Sequence, residues 1–322
     1  MKAAVIYKKG ELPQYTDFPV PIIENENQLL ISVKASAVKN LDKNIASGKH
    51  YSSEEKATAK VVGGDGVGVL EDGTRVYALG VTGMIAEKAI VDKNLMVKVP
   101  EGLDDCTASA LPNAVAGSAM ALRFRANIQK GETVLINGAT GVTGKIAVQL
   151  AKHYGAKKVI VTGRNEETLK ELLELGADEY LIISQPDEDF IAQFKAIHAN
   201  TPIDIIIDYL WGHSAELILN SLKSKGSFTH KTRFVSVGSI AGDSIQLSSE
   251  ILRSVDLQLS GSGLGSWTKD EMKILIIEIL PAMFELAASK KLVIETVSIA
   301  IKDIEKAWDM DIPNGKRLVI TI

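Results

Sequence analysis

Cysteine is nearly absent: Cys106 stands alone in 322 residues. A disulfide framework within the chain is therefore excluded, as is a metal centre built from several thiolates. This usage is that of a chain kept in a reducing compartment, so a cytoplasmic location is expected, with Cys106 read as a small helix residue. A basic tract is also missing, because 36 Lys and Arg and 40 Asp and Glu are spread along the chain to a net charge of −4. Neither nucleic acid nor an anionic membrane is an expected partner. No apolar run reaches the roughly 20 residues that a bilayer crossing requires. The longest, Ile274 to Ala288, is broken by Glu278 and Pro281 and is read as a buried, kinked helix. The opening Met1–Tyr7 is too short for the apolar core of a signal sequence and is read as a first strand. Short repeats and low-complexity linkers are lacking too.

What is present is ordinary for a folded protein of two cores: 46% hydrophobic and 24% charged residues over a length above the usual one-domain range. Two rhythms divide it. As far as about Pro100, short β-like runs (Leu29–Val33, Arg75–Ala78, Ala89–Val91) are separated by Gly, Asp and Pro clusters, the pattern of a compact, mostly β domain. An Ala-rich helical stretch follows from Asp104 to Ala126. Apolar runs then recur at Thr133–Ile136, Lys158–Val161, Tyr180–Ile183, Ile203–Asp208 and Phe234–Val237, with helical patterns between most of them. Strands alternating with helices imply right-handed βαβ crossovers and a parallel sheet. After Gly265 come a long helix, a short one near Ile304–Met310 and a last strand, Arg317–Ile322, expected to return to the first domain.

The strongest local signal is Val134-Leu135-Ile136-Asn137-Gly138-Ala139-Thr140-Gly141-Val142-Thr143-Gly144 ahead of the helical run Lys145–Lys152. A strand that feeds a glycine-rich turn and then a helix can hold a pyrophosphate on the helix N-terminus. Against the G-x-G-x-x-G pattern the first glycine is Ala139, while Gly141 and Gly144 remain for close backbone approach and helix packing. Ala139, Thr140, Gly141, Val142, Thr143 and Gly144 are thus candidate cofactor residues. The next strand, Lys158–Gly163, ends in Arg164, about 20 residues past the last glycine, where an acid marks NAD and an arginine can accept a 2′-phosphate. Arg164 argues for NADPH, against a plain reading as a solvated residue before Asn165, which is placed to cap the helix Glu166–Leu175.

These residues, with Met1-Lys2-Ala3-Ala4 and Gly64-Asp65-Gly66-Val67-Gly68 before Asp72-Gly73-Thr74-Arg75-Val76, resemble in order and spacing the medium-chain dehydrogenases/reductases, and most closely their zinc-independent quinone oxidoreductases. The resemblance covers essentially the whole chain. It implies an α/β protein with a GroES-like, mostly β catalytic domain at 1–109 and 266–322 and a Rossmann, doubly wound parallel-sheet domain at 110–265. It also implies hydride transfer from NADPH to a quinone or another activated carbonyl acceptor, and a homodimer formed through the edge strand near Asp256–Gly261. An enone or enal reductase and a non-catalytic NADPH-binding sensor stay open as alternatives.

By this resemblance the three catalytic zinc-ligand positions fall on Lys39, Gly64 and Ala114, and none of these is a usual zinc ligand. His50, His153, His198, His213 and His230 are scattered without metal-like spacing. Without a Lewis-acid metal the acceptor has to be electrophilic in itself. Lys39 stands where related quinone reductases often carry Asn, and its ammonium could donate to a developing quinol or enolate oxygen or could support the domain interface. Asn40, Tyr51 and His50 are further candidates for the substrate cleft. Tyr209 and Trp211 follow an apolar strand, Gly238 follows the next and Ser262 and Gly263 follow a sixth, the edge at which open α/β sheets bind ligands. Lys316 resembles a family lysine before the last strand and could equally be a surface charge.

Overall fold

A computed structural model describes residues 1–48, 59–223 and 229–322, so His50 and Tyr51 lie outside the described residues. The chain divides into two units, Met1–Pro112 with Lys273–Ile322, and Asn113–Met272.

The first unit begins with β1 (Lys2–Ile6), β2 (Gln14–Asp17), β3 (Gln28–Ala37), α1 (Asn40–Ser47), β4 (Lys60–Val61), β5 (Asp65–Val69), β6 (Arg75–Gly80) and β7 (Lys88–Lys98). Its strands pair antiparallel in the order β3-β5-β6-β7, and β7 pairs back onto β3, which closes these four strands on themselves. Alternation in β3 explains the closure: Ile31 and Val33 point inward while Ser32 and Lys34 point out. At Ala35–Ala37 the alternation gives way to three buried residues, beside a register shift against β5 between Val33 and Ala35. An irregularity of this kind bends a strand and re-aims the side chains that follow it. The helix α2 (Asp105–Met120) carries the division between the units, at Pro112, and Cys106 sits half-buried in its first turn.

The second unit alternates without exception. It runs β8 (Thr133–Asn137), α3 (Val142–His153), β9 (Lys158–Gly163), α4 (Glu166–Glu174), β10 (Glu179–Ile182), α5 (Asp187–Asn200), β11 (Ile205–Asp208), α6 (Gly212–Ser221), β12 (Thr232–Ser236), α7 (Ser249–Ser254) and β13 (Leu257–Gly261). All pairings are parallel, in the order β10-β9-β8-β11-β12-β13. This is the Rossmann order, with its reversal between β8 and β11. Every residue of β11 is buried, as expected of a strand covered on both faces. Leu135, Ile160, Ile206 and Phe234 of the sheet pack against Phe190, Phe194, Ile218 and Leu219 of the helices. Truncating one of these to alanine would cost about 2–5 kcal/mol.

The apolar run after Gly265 forms α8 (Lys269–Ile274), a π turn at Leu275–Ile279 and α9 (Leu280–Ala288). Pro281 sits in the first turn of α9 and has no N–H to give; just before it, the N–H of Leu280 reaches back five residues to the carbonyl of Leu275. The widened turn absorbs the irregularity that the proline imposes. No helix among the described residues is long and apolar enough to cross a membrane. The chain re-enters the first unit at Lys273, within α8, and continues there through β14 (Glu295–Ala300), α10 (Ile304–Trp308) and β15 (Lys316–Thr321), and β15 pairs antiparallel with β3, as expected for the last strand.

Candidate cofactor and substrate sites

The turn between β8 and α3 is shaped by three glycines with three different reasons. Gly138 has φ +83, and a Cβ there would meet the Leu210 side chain at 2.7 Å. At Gly144 a Cβ would lie 2.5 Å from Ala139 Cα, so glycine lets α3 press against the turn. Gly141 differs: its φ is −77° and a Cβ would meet no atom of the described residues beyond its own chain neighbours within 4 Å. Nothing inside the protein requires glycine there. Gly141 is the N-cap of α3, and no side chain caps the first turn. The first-turn N–H groups therefore have no side-chain cap, an arrangement that can receive a phosphate. Ala139 is buried and Thr140, Val142 and Thr143 are half-buried around this opening.

A polar network beneath the turn locks the carboxyl ends of β8, β9 and β11 together. Asn137 Nδ2 donates to Asp208 Oδ1 at 2.7 Å and to Ser214 Oγ at 3.0 Å. Thr162 Oγ1 donates to Asn137 Oδ1 at 2.6 Å and accepts from the N–H of Gly138 at 3.1 Å. Asp208 also accepts from the N–H groups of Leu210 and Trp211, each at 3.0 Å. Burial pushes its carboxyl above the ordinary range, while the bonds from Leu210, Asn137 and Trp211 work the other way. They hold Trp211 at φ 57° and ψ −157°, a conformation that side-chain-bearing residues rarely adopt. Trp211 packs edge to face against Phe234, with ring centroids 6.2 Å apart.

Tyr209 is buried, with its hydroxyl 3.0 Å from Ser118 Oγ, which also lies 3.1 Å from the carbonyl of Thr143 in the first turn of α3. Burial pushes the Tyr209 phenol well up, so it stays protonated and works, through Ser118, as a pin between the end of β11 and the first turn of α3. Gly238 is accounted for by packing, since a Cβ there would meet the carbonyl of Tyr209 at 2.7 Å. Ser262 is buried and accepts from Trp267 Nε1 at 3.0 Å. Gly263 is exposed with open space around it. Arg125 braces this loop through the carbonyl of Ser266 and through Glu271, whose carboxyl it holds down to about 2.

Arg164 is exposed at the end of β9, its carbonyl fixed by Ser184 Oγ at 2.9 Å. Asn165 caps α4 as expected, its Oδ1 accepting from the N–H of Thr168 at 2.9 Å. Residues 139–144, Arg164, Tyr209, Trp211, Gly238, Ser262 and Gly263 all lie at or just past the carboxyl ends of β8, β9, β11, β12 and β13 in one parallel sheet.

Lys39, Asn40 and Lys316 belong to the other unit. The Lys39 side chain is buried, and its ammonium bonds the carbonyl of Ala37 at 3.0 Å, Asp42 Oδ2 at 3.1 Å and Asp65 Oδ1. Burial pulls its pKa down, but Asp42 and Asp65 pull it up and prevail. An ammonium has three protons, so donation to a substrate oxygen would require one of these bonds to open. Asp42 Oδ2 also accepts from the N–H of Lys39 at 2.8 Å, which fixes the start of α1, and its Oδ1 accepts from the N–H of Gly64 at 3.0 Å. Asp65 Oδ2 accepts from the Tyr77 hydroxyl at 2.7 Å. Asn40 is exposed at the first position of α1, and Lys316 pairs with Glu295 at 3.5 Å on the surface of β14 and β15. Among the described residues, no group of three or more His, Cys, Asp or Glu is placed to hold a metal ion.

Asn137, Thr162 and Asp208 were not singled out as site residues from the sequence. Their signal is a polar residue at or next to the carboxyl end of an otherwise apolar strand run, repeated in three strands. Asp42 and Asp65 carry no such signal, because the sequence does not show which residues face Lys39.

A family model described as zinc-binding dehydrogenase matches residues 142–280. A probable NADPH-dependent quinone reductase of Emericella nidulans is 26% identical over 96% of each chain. The quinone oxidoreductase of Homo sapiens is 29% identical over 85% of this chain and 83% of its own. Among solved structures, a mycobacterial quinone oxidoreductase superposes over the full length of both chains with TM-score 0.85 at 20% identity. The quinone oxidoreductase of Thermus thermophilus, solved alone and with NADPH, superposes over all of both chains with TM-score 0.79 at 25% identity. Sequence order, strand order and these likenesses agree: along nearly its whole length the chain is similar to quinone oxidoreductases of the medium-chain dehydrogenase/reductase superfamily.

Proposed function

We propose that the protein is an NADPH-dependent oxidoreductase that reduces a quinone without a catalytic zinc. The observation that carries the cofactor reading is Gly141, a glycine that neither φ nor internal packing demands, at the uncapped N-terminus of α3. The quinone reading draws on the relatives, two of which are named for quinone reduction. The zinc-free reading draws on Lys39, whose ammonium is bonded to two carboxylates at a position where the resemblance places a zinc ligand.

NADPH, when bound, supplies a hydride from its nicotinamide, and the hydride with one proton converts a quinone to a hydroquinone. The first turn of α3 binds the pyrophosphate through its free N–H groups. Arg164 binds the 2′-phosphate with charge-assisted hydrogen bonds. Tyr209, Ser118 and Asp208 hold the backbone of the two turns in place beneath the cofactor edge of the sheet. A homodimer would use β13, which stands at the edge of the six-stranded sheet with one side unpaired among the described residues. Sedimentation of a monomer at micromolar concentration would exclude it.

The test is a pair of titrations with turnover beside them. Arg164→Ala is expected to weaken NADPH binding by about 10- to 150-fold, from the roughly 1.5–3 kcal/mol of hydrogen bonds to a charged group, and to affect NADH much less. Equal weakening of both cofactors would remove Arg164 from the site. NADPH oxidation by a panel of quinones and 2-enals then assigns the acceptor. Turnover of enals alone would make the protein an alkene reductase, and tight NADPH binding with no turnover would make it a sensor.

A further inference from the structure

The turn that carries Arg164 also carries an acid two residues on, Glu166, at the first position of α4. A carboxylate so near an exposed guanidinium would ordinarily pair with it, and a paired arginine is a poor phosphate receptor. The two do not pair. Glu166 Oε1 instead accepts from the Tyr180 hydroxyl at 2.9 Å and lies 3.0 Å from Lys170 Nζ. Lys170 is one helical turn further along α4, with the acid on its N-terminal side, the more favourable orientation for such a pair. Tyr180 comes from a different element, β10, whose register sets it opposite Val161 and sets Ile182 opposite Gly163. Two elements therefore hold one carboxylate, and both contacts keep its carboxyl below the usual range, Lys170 first and Tyr180 second. The Arg164 guanidinium has no hydrogen bond or ion pair with any described residue, although its backbone is fixed by Ser184.

We propose that Lys170 and Tyr180 sequester Glu166 and thereby determine cofactor selectivity at the adenosine ribose. The proposal rests on the reading of Arg164 as the 2′-phosphate receptor. A free carboxylate at this turn would oppose NADPH twice, by neutralising Arg164 and by repelling the phosphate, and as an acceptor of ribose hydroxyls it would favour NADH. Held by an ammonium and a phenol, it does neither. Lys170 and Tyr180 are positioning residues that act through Glu166, so their effect depends on its charge.

That dependence gives the test, read as binding of NADPH and NADH by nucleotide fluorescence with no acceptor present. In Lys170→Met/Tyr180→Phe the freed Glu166 is expected to weaken NADPH by about three- to tenfold, the scale of two surface polar contacts, and to leave NADH unchanged or tighter. In Glu166→Gln NADPH binding is kept or tightened. Adding the Lys170→Met/Tyr180→Phe pair to Glu166→Gln is then expected to change NADPH binding by less than about twofold, because nothing is left to sequester. A loss in that triple variant as large as in the double one would overturn the proposal and place Lys170 or Tyr180 on the cofactor itself. Lys170→Gln alone serves as a second variant, since its side chain is exposed and the helix accepts glutamine. Wild type with no preference for NADPH, together with a silent Arg164→Ala, would instead sink the underlying reading and the sequestration with it.

Discussion

Each unit buries a carboxylate network, and the two solve the same problem by different means. Around Lys39 two carboxylates, Asp42 and Asp65, share one ammonium, a phenol and two backbone N–H groups donate to them as well, and the Arg317 guanidinium also feels both charges. Around Asp208 a single carboxylate is held by neutral donors alone, two N–H groups and the Asn137 amide. The first is an ion cluster, in which removing one partner leaves charge uncompensated. The second is a dipole cage, in which each donor carries a smaller share.

The contrast fixes an order of expected effects. Lys39→Met keeps the length of the side chain and deletes the ammonium bonded to both carboxylates, leaving Arg317 as the remaining cation that acts on them, and it should cost about 3–5 kcal/mol of unfolding free energy by denaturant titration. Adding Asp65→Asn should recover part of the loss. A cost below about 1 kcal/mol would show that the ammonium is not what compensates the carboxylates.

Asp208→Asn should cost less, about 1–3 kcal/mol, since one of the two positions facing the Leu210 and Trp211 N–H groups becomes a donor. The same residue gives a pH signature. Its folded pKa is raised by burial, so the folded state binds a proton more readily than the unfolded chain. The wild type should therefore gain stability from this group as pH falls through the raised folded value toward the ordinary carboxylate range, and Asp208→Asn should lack that gain. The difference between the two stability–pH curves reads it directly, and parallel curves would count against a raised Asp208.

Two buried phenols differ in the same way, and the smallest effect of all belongs to one of them, Tyr209. Tyr77 donates to a carboxylate, whereas Tyr209 meets the hydroxyl of Ser118. Tyr77→Phe should cost about 1.5–3 kcal/mol, as for a bond to a charged group, and Tyr209→Phe about 0.5–1.5 kcal/mol. Because Ser118 also touches Thr143 in the first turn of α3, where the proposed function puts the pyrophosphate, Tyr209→Phe should weaken NADPH more than Tyr77→Phe does, despite its smaller effect on stability. Calorimetric melting beside NADPH titration tests both halves, and a reversed order in either would dissolve the distinction drawn between the networks.

Most of the second unit could be read from the chain because its information is local. Apolar runs such as Ile205–Ile207 mark strands buried on both faces, Gly141 and Gly144 mark the turn, and Asn165 stands where a helix cap belongs. What escaped depends on distant pairing or on backbone detail. Asp65 is 26 residues from Lys39, and they meet only through the register that closes β3 on β5. Trp211 gives no hint in sequence of its positive φ, which Asp208 imposes from a strand end. Glu166 reads as one more helix-starting acid, and its capture by Tyr180 depends on the pairing of β9 with β10. The π turn at Leu275–Ile279 follows from Pro281 only once the helix around it is known.

The route of the chain also orders events during synthesis. The Rossmann unit is one uninterrupted stretch, so each of its strands can find its neighbour soon after leaving the ribosome, and it can complete while the chain is still growing. The other unit has to wait: β15, the last of its strands in chain order, sits between β14 and β3, and until it arrives β3 keeps an unpaired edge along the residues that lead into Lys39. For that interval the nascent chain carries a finished cofactor-binding fold beside an open, sticky strand, the state in which chaperone capture matters most and in which a stop codon shortly before Lys316 would be most damaging.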